Sequence, residues 1–91
     1  MADVIITFKI MPQTPDINLE GIQEKATAAI NEFGGEVGKV DIQPIAFGLN
    51  ALNLIFVMDE NKGSTESLEN EITEFEGVQS VEVTDVRRAL G

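Results

Sequence analysis

Ninety-one residues make one domain, because a core of this size still buries enough surface to fold and chains divide only well above it. The chain has no Cys and no His, which removes disulfides, thiol nucleophiles and cysteine-ligated metals together with the commonest general base and metal ligand. Sixteen acidic residues against six basic ones give a formal charge of −10, which repels nucleic-acid phosphate and anionic lipid, favours solubility and steers a basic partner inward.

The opening Met-Ala-Asp-Val-Ile-Ile-Thr-Phe-Lys lacks a basic n-region and a long apolar stretch, so the expected location is cytoplasmic. From Val4 to Met11 the side chains alternate: Val4, Ile6, Phe8 and Ile10 fall on one face, and Ile5, Thr7 and Lys9 on the other. This is a strand with one strongly apolar face, ended by Pro12. Pro12 to Asn18 reads as a loop leading to a helix N-cap. Leu19, Ile22, Ala26, Ala29, Ile30 and Phe33 then recur at helical spacing until Gly34-Gly35 stops them. Val37 to Ile45 is a second strand, in which Val40 and Ile42 alternate with Lys39, Asp41 and Gln43; Pro44 cannot donate to a ladder, so this strand belongs at a sheet edge. After a bend at Phe47-Gly48, Leu52, Leu54, Phe56 and Met58 alternate with Asn53, Ile55 and Val57, so both faces are apolar toward the middle, as in a central strand. Asp59 to Gly63 is a turn. Ser64 or Thr65 caps a second helix of about three turns, with Leu68, Ile72 and Phe75 as its inward stripe and Gly77 as its stop. Val78, Val81 and Val83 begin a last strand that ends near Val86.

The order βαββαβ, with right-handed crossovers that place both helices on one face of an antiparallel sheet, predicts an α+β, ferredoxin-like sandwich with strand order 4-1-3-2. In that order the second strand is an edge, which suits Pro44. Residues 1–91 form a single domain without internal repeat or linker.

This fold hosts many functions, so the sites must decide. RNA-binding domains of this shape need aromatics beside basic residues on the middle strands; here Phe8 and Phe56 stand among Ile, Leu and Met on an acidic chain. Acylphosphatase-like chemistry needs a basic anion-cradling loop, and Pro12-Gln-Thr-Pro-Asp16 has none. The Asp59-Glu-Asn-Lys-Gly63 turn departs from a calcium loop in its glycine position and in having Asn70 where a bidentate Glu belongs. The acidic residues Glu66, Glu69, Glu71, Glu74 and Glu76, with Glu82 and Asp85 on the following strand, are read first as a solvated face. Within that set Glu71, Glu74, Glu82 and Asp85 are the candidates for weak divalent-cation ligands across a groove. No catalytic residue and no cofactor is expected.

Phe47 stands between Ala46 and Gly48 where an edge strand turns into a central one. Its residues alone allow an ordinary core aromatic or a ring projected outward by the bend. Arg87 and Arg88, two of six basic residues, read either as a solubilising terminus or as a functional cation pair.

Pro44-Ile-Ala-Phe-Gly-Leu49 with Ala51-Leu52, Glu76-Gly-Val-Gln-Ser-Val-Glu-Val83 and Asp85-Val-Arg-Arg88 resemble the guanine-nucleotide exchange domain of translation elongation factor 1-beta in its short archaeal form. The resemblance extends over essentially the whole chain. It implies a guanine-nucleotide exchange factor rather than an enzyme, with the GDP-bound GTPase elongation factor 1-alpha as partner. The acidic charge sets the expectation of no direct nucleic-acid or membrane contact, and the expected state is a monomer. The resemblance also implies that Phe47, flanked by Ala46 and Gly48, inserts into the GTPase. Arg88, preceded by Arg87, then stands where relatives place a lysine that reaches the magnesium and phosphate region. Arg for Lys is a departure, since guanidinium is a planar fork and ammonium a compact charge. The alternative reading is a ferredoxin-like regulatory domain that binds a small ligand or divalent cation and pairs through an edge strand; Lys39, Asp41 and Pro44 on that edge oppose such pairing.

Overall fold

A computed structural model describes residues 3–89. Strand β1 (Asp3–Pro12) leads through a loop to α1 (Leu19–Phe33), β2 (Glu36–Pro44), a tight turn at Ala46–Gly48, β3 (Asn50–Asp59), a short 3-10 turn (Glu60–Lys62), α2 (Glu66–Thr73) and β4 (Val78–Arg88). The four antiparallel strands lie in the order β2-β3-β1-β4, which read from the other edge is the expected 4-1-3-2. Helix α1 starts where Asn18 Oδ1 accepts from the Glu20 amide at 3.0 Å and stops at Gly34, whose φ of 109° lets its own amide reach Ile30 and Asn31.

The core lies between the helices and one face of the sheet. Ile6, Phe8 and Ile10 from β1 and Leu52, Leu54, Phe56 and Met58 from β3 meet Ile22, Ala26, Ala29 and Ile30 of α1 and Leu68 and Ile72 of α2. At its centre Phe8 and Phe56 pack edge to face, ring centroids 4.8 Å apart at 74°, the arrangement that the aromatic quadrupole favours. Three pairing irregularities set the spacing of the edge strands: Gly38 in β2 and Gln79 and Thr84 in β4 each stand opposite no partner. Val37 and Val40, and Val78, Val81, Val83 and Val86, therefore share the helix-facing side despite spacings of two and three.

Two expectations change. Helix α2 has 8 residues, about two turns rather than three, and Phe75 lies beyond its end, only partly buried against the core. Ser64 Oγ accepts from the Glu66 amide at 3.1 Å, while the Thr65 hydroxyl donates to Glu69 at 2.7 Å, so the two candidates divide the N-terminal work. Strand β4 continues past Val86 to Arg88, because Arg87 and Arg88 pair with Ile5 and Val4.

Phe56→Ala, which empties a fully buried ring site, should cost about 3–5 kcal/mol, whereas Phe75→Ala should cost less because its ring is only partly buried at the margin of the core. Urea unfolding of the two variants checks the order; equal midpoints would refute the core assignment.

Candidate functional site

The hairpin turn between β2 and β3 is closed by Ile45 N–H donating to Leu49 O at 2.7 Å and Leu49 N–H donating to Ala46 O at 3.3 Å. That leaves Phe47 and Gly48 as its central pair, with φ of 63° and 75°. Positive φ at both positions is the pattern of a type I′ turn, whose twist matches a hairpin and whose preferred sequence is Asn-Gly. Glycine fits the second position. Phenylalanine in the first is the one non-glycine residue with positive φ among those described, and a bulky side chain there is strained by roughly 1–2 kcal/mol. The ring is 94% exposed, so no burial within the chain compensates. Ala46 and Gly48 beside it are also exposed, and Gly48 lies against Pro15 of the β1–α1 loop.

The arginines stand at the far end of β4. Arg87 pairs with Ile5 and points to the sheet face without helices, its Nε 2.8 Å from Asp85 Oδ2. Arg88 pairs with Val4 and points to the helix side, its Nη2 donating to Glu60 Oε2 at 2.7 Å. The backbone is fixed there by Ala89 N–H donating to Asp3 O at 2.9 Å.

The structure does not bring Phe47 and the arginines together. Val4 pairs with both Arg88 and Met58, and the Phe47 turn begins beside Asn50, eight residues back along β3, which is about 26 Å at the rise of a strand. The turn also joins the edge strand β2 to β3, while Arg88 lies on the opposite edge strand β4, adding two to three strand spacings, about 10–14 Å. The two features occupy opposite corners of one sheet, roughly 30 Å apart.

The acidic candidates are separated as well. Glu71 and Glu74 are exposed on α2 and its end, whereas Glu82 and Asp85 pair with Lys9 and Thr7 on the side of the sheet away from the helices. The two pairs therefore line no common groove, and no group of three or more acidic side chains among the described residues is arranged to hold a metal ion. Glu60, which holds Arg88, carries no signal in the sequence: the two lie 28 residues apart and meet only because β1 carries β4 alongside β3. Among the described residues no helix is long and apolar enough to cross a membrane.

Residues 5–89 match the family of EF-1 guanine nucleotide exchange domains. The chain is 46% identical over 90 residues to elongation factor 1-beta of Methanothermobacter thermautotrophicus, covering 99% of this chain and 100% of that protein. It is 47% identical over 89 residues to elongation factor 1-beta of Staphylothermus marinus, covering 97% and 98%. Among solved structures, the ACT domain from GTP pyrophosphokinase of Chlorobium tepidum superposes with a TM-score of 0.60 at 21% identity over 89% of this chain and 97% of that domain, which is a likeness of fold alone. With its full length aligned to archaeal relatives and its exposed Phe-Gly turn inside the matched region, the chain belongs to the EF-1 guanine nucleotide exchange family and serves nucleotide exchange in translation elongation.

Proposed function

We propose that this chain, as a single exchange domain, binds GDP-bound elongation factor 1-alpha through both corners of its sheet and speeds release of the nucleotide. The observation that carries the reading is Phe47, a large apolar ring held fully exposed on a strained turn. Strain at a position where asparagine would be comfortable serves no purpose in the isolated fold, and exposed aromatics on rigid turns make strong anchors in partner pockets.

At the other corner Arg88, with Arg87 beside it, supplies the cation. A GTPase holds GDP largely through Mg²⁺ and phosphate contacts, so a guanidinium brought to that region competes with the metal and weakens the nucleotide. Linkage makes the effect reciprocal: GDP weakens the binding of the factor as much as the factor weakens GDP. The step forms and breaks no covalent bond, which suits a chain without His or Cys. The formal charge of −10 draws in a partner with basic surface, in keeping with a cytoplasmic encounter between soluble proteins.

Release of a fluorescent GDP analogue from elongation factor 1-alpha tests both corners. Phe47→Ala should lower the rate at least tenfold at sub-saturating factor, the effect of losing an anchor of about 2 kcal/mol. Phe47→Asn should do the same while raising thermal stability by roughly 1 kcal/mol, because asparagine accepts the positive φ. A loss of stability in both variants with exchange intact would place the ring in a structural role instead.

Raising Mg²⁺ should slow exchange by the natural chain, and Arg88→Ala should lose most of its activity. Arg87→Ala should cost less, mainly through steering that added salt already screens. Wild-type rates for both alanine variants at low salt would rule out the cation mechanism and leave Phe47 as the sole contact of consequence.

A further inference from the structure

We propose that Glu60 is a positioning residue for exchange: it holds one nitrogen of Arg88 and aims the rest of the guanidinium outward at an anion of the partner. The proposal rests on the reading of Arg88 as the cation that meets the nucleotide's phosphate and Mg²⁺ region. Glu60 Oε2 takes only Nη2, at 2.7 Å. Among the described residues no hydrogen bond or ion pair uses Nε or Nη1 of Arg88. A guanidinium has five N–H donors in a fixed plane, so a carboxylate at one nitrogen sets the plane while the others stay available to a phosphate. A lysine ammonium in the same place is a point charge and gains no such orientation.

The support for Glu60 is built into the turn that carries it. Asp59 Oδ1 accepts from the Asn61 amide at 2.9 Å, and Gly63 N–H donates to Glu60 O at 3.3 Å, closing the 3-10 turn around it. Lys62 lies over Gly34, with its Nζ 2.8 Å from where a Cβ on residue 34 would stand. It thus brings a cation to the C-terminus of α1, whose last turn has no basic residue. The backbone of Arg88 is fixed independently, by its pairing with Val4 and by the Ala89 bond to Asp3. Both partners of the ion pair therefore stand on anchored main chain, and the side chain of Glu60 is the less exposed of the two, 32% against 70%.

The test is a double-mutant cycle on the full chain, read as release of fluorescent GDP from elongation factor 1-alpha, with thermal unfolding as the control for folding. Glu60→Ala should slow exchange roughly three- to fivefold, the upper range for one half-exposed ion pair, without lowering the unfolding midpoint appreciably. In the Arg88→Ala background the same change should have no effect, a coupling that a merely structural role for Glu60 would not produce. Glu60→Gln, which keeps an acceptor oxygen in reach of Nη2, should recover part of the loss. Equal losses in the two backgrounds, or no loss in either, overturn the proposal. A gain in rate overturns it too, since Glu60 would then restrain Arg88. If Arg88→Ala itself exchanges normally, the reading of Arg88 fails and the proposal with it; if Arg88→Ala is impaired and Glu60→Ala is not, only the proposal fails.

Discussion

The apolar face shared by β1 and β3 is the constraint from which the rest of the molecule follows. Seven side chains from these two central strands, Phe8 and Phe56 among them, are buried under both helices, and the backbone pairing between the strands fixes Asp3 opposite Asp59 and Ile10 opposite Leu52. Because a slip by one residue would turn that whole set toward water, the register is strongly specified. Register in turn fixes what stands at each end of the sheet. The Phe47 turn and the Arg88 corner owe their separation to the core rather than to any contact with each other.

Local preference and global fold agree along most of the chain: alternation, caps and glycine stops all point to the elements that form. The disagreement at Phe47 is therefore informative. A type I′ turn is demanded by the hairpin twist, Gly48 meets that demand, and Phe47 does not. Natural chains break such rules at functional positions and carry the strain in a framework stable enough to hold it. Here the framework is the two closing hydrogen bonds from Ile45 and Leu49, backed by the buried Ala51 and Leu52 just beyond the turn.

Strand faces, the order of the sheet, the edge position of Pro44 and both ends of α1 were legible in the sequence because each rests on periodicity or on a residue with a single physical meaning. The length of α2 was not, since Phe75 continues the helical spacing while the chain has already left the helix to reach Gly77, whose φ is 89°. The candidate acidic groove, the less favoured reading beside a solvated face, is absent for a related reason. Sequence proximity put Glu82 and Asp85 beside the second helix, but strand alternation and the irregularity at Thr84 send them to the opposite side of the sheet. Residues alone left Phe47 open between core and surface, and the turn geometry that decides it depends on a closing bond that no pattern encodes. Glu60 was out of reach altogether, because its partnership with Arg88 exists only once three strands are assembled.

A separation of roughly 30 Å between the two proposed contacts also divides their thermodynamic duties. A contact made equally with the nucleotide-bound and nucleotide-free partner strengthens association but cannot shift the balance between those forms, however tight it is. Only a contact that the nucleotide opposes has that power. On the proposed reading Phe47, remote from the cation corner, supplies the first kind and tethers the factor to the partner. Arg88 supplies the second, since it and Mg²⁺ contend for the same phosphate region. The tether makes the arrival of the guanidinium an intramolecular event, with an effective concentration set by a rigid sheet rather than by diffusion. A single exposed arginine that binds weakly on its own can then displace a metal ion, provided that the sheet holds its length and Glu60 holds its aim.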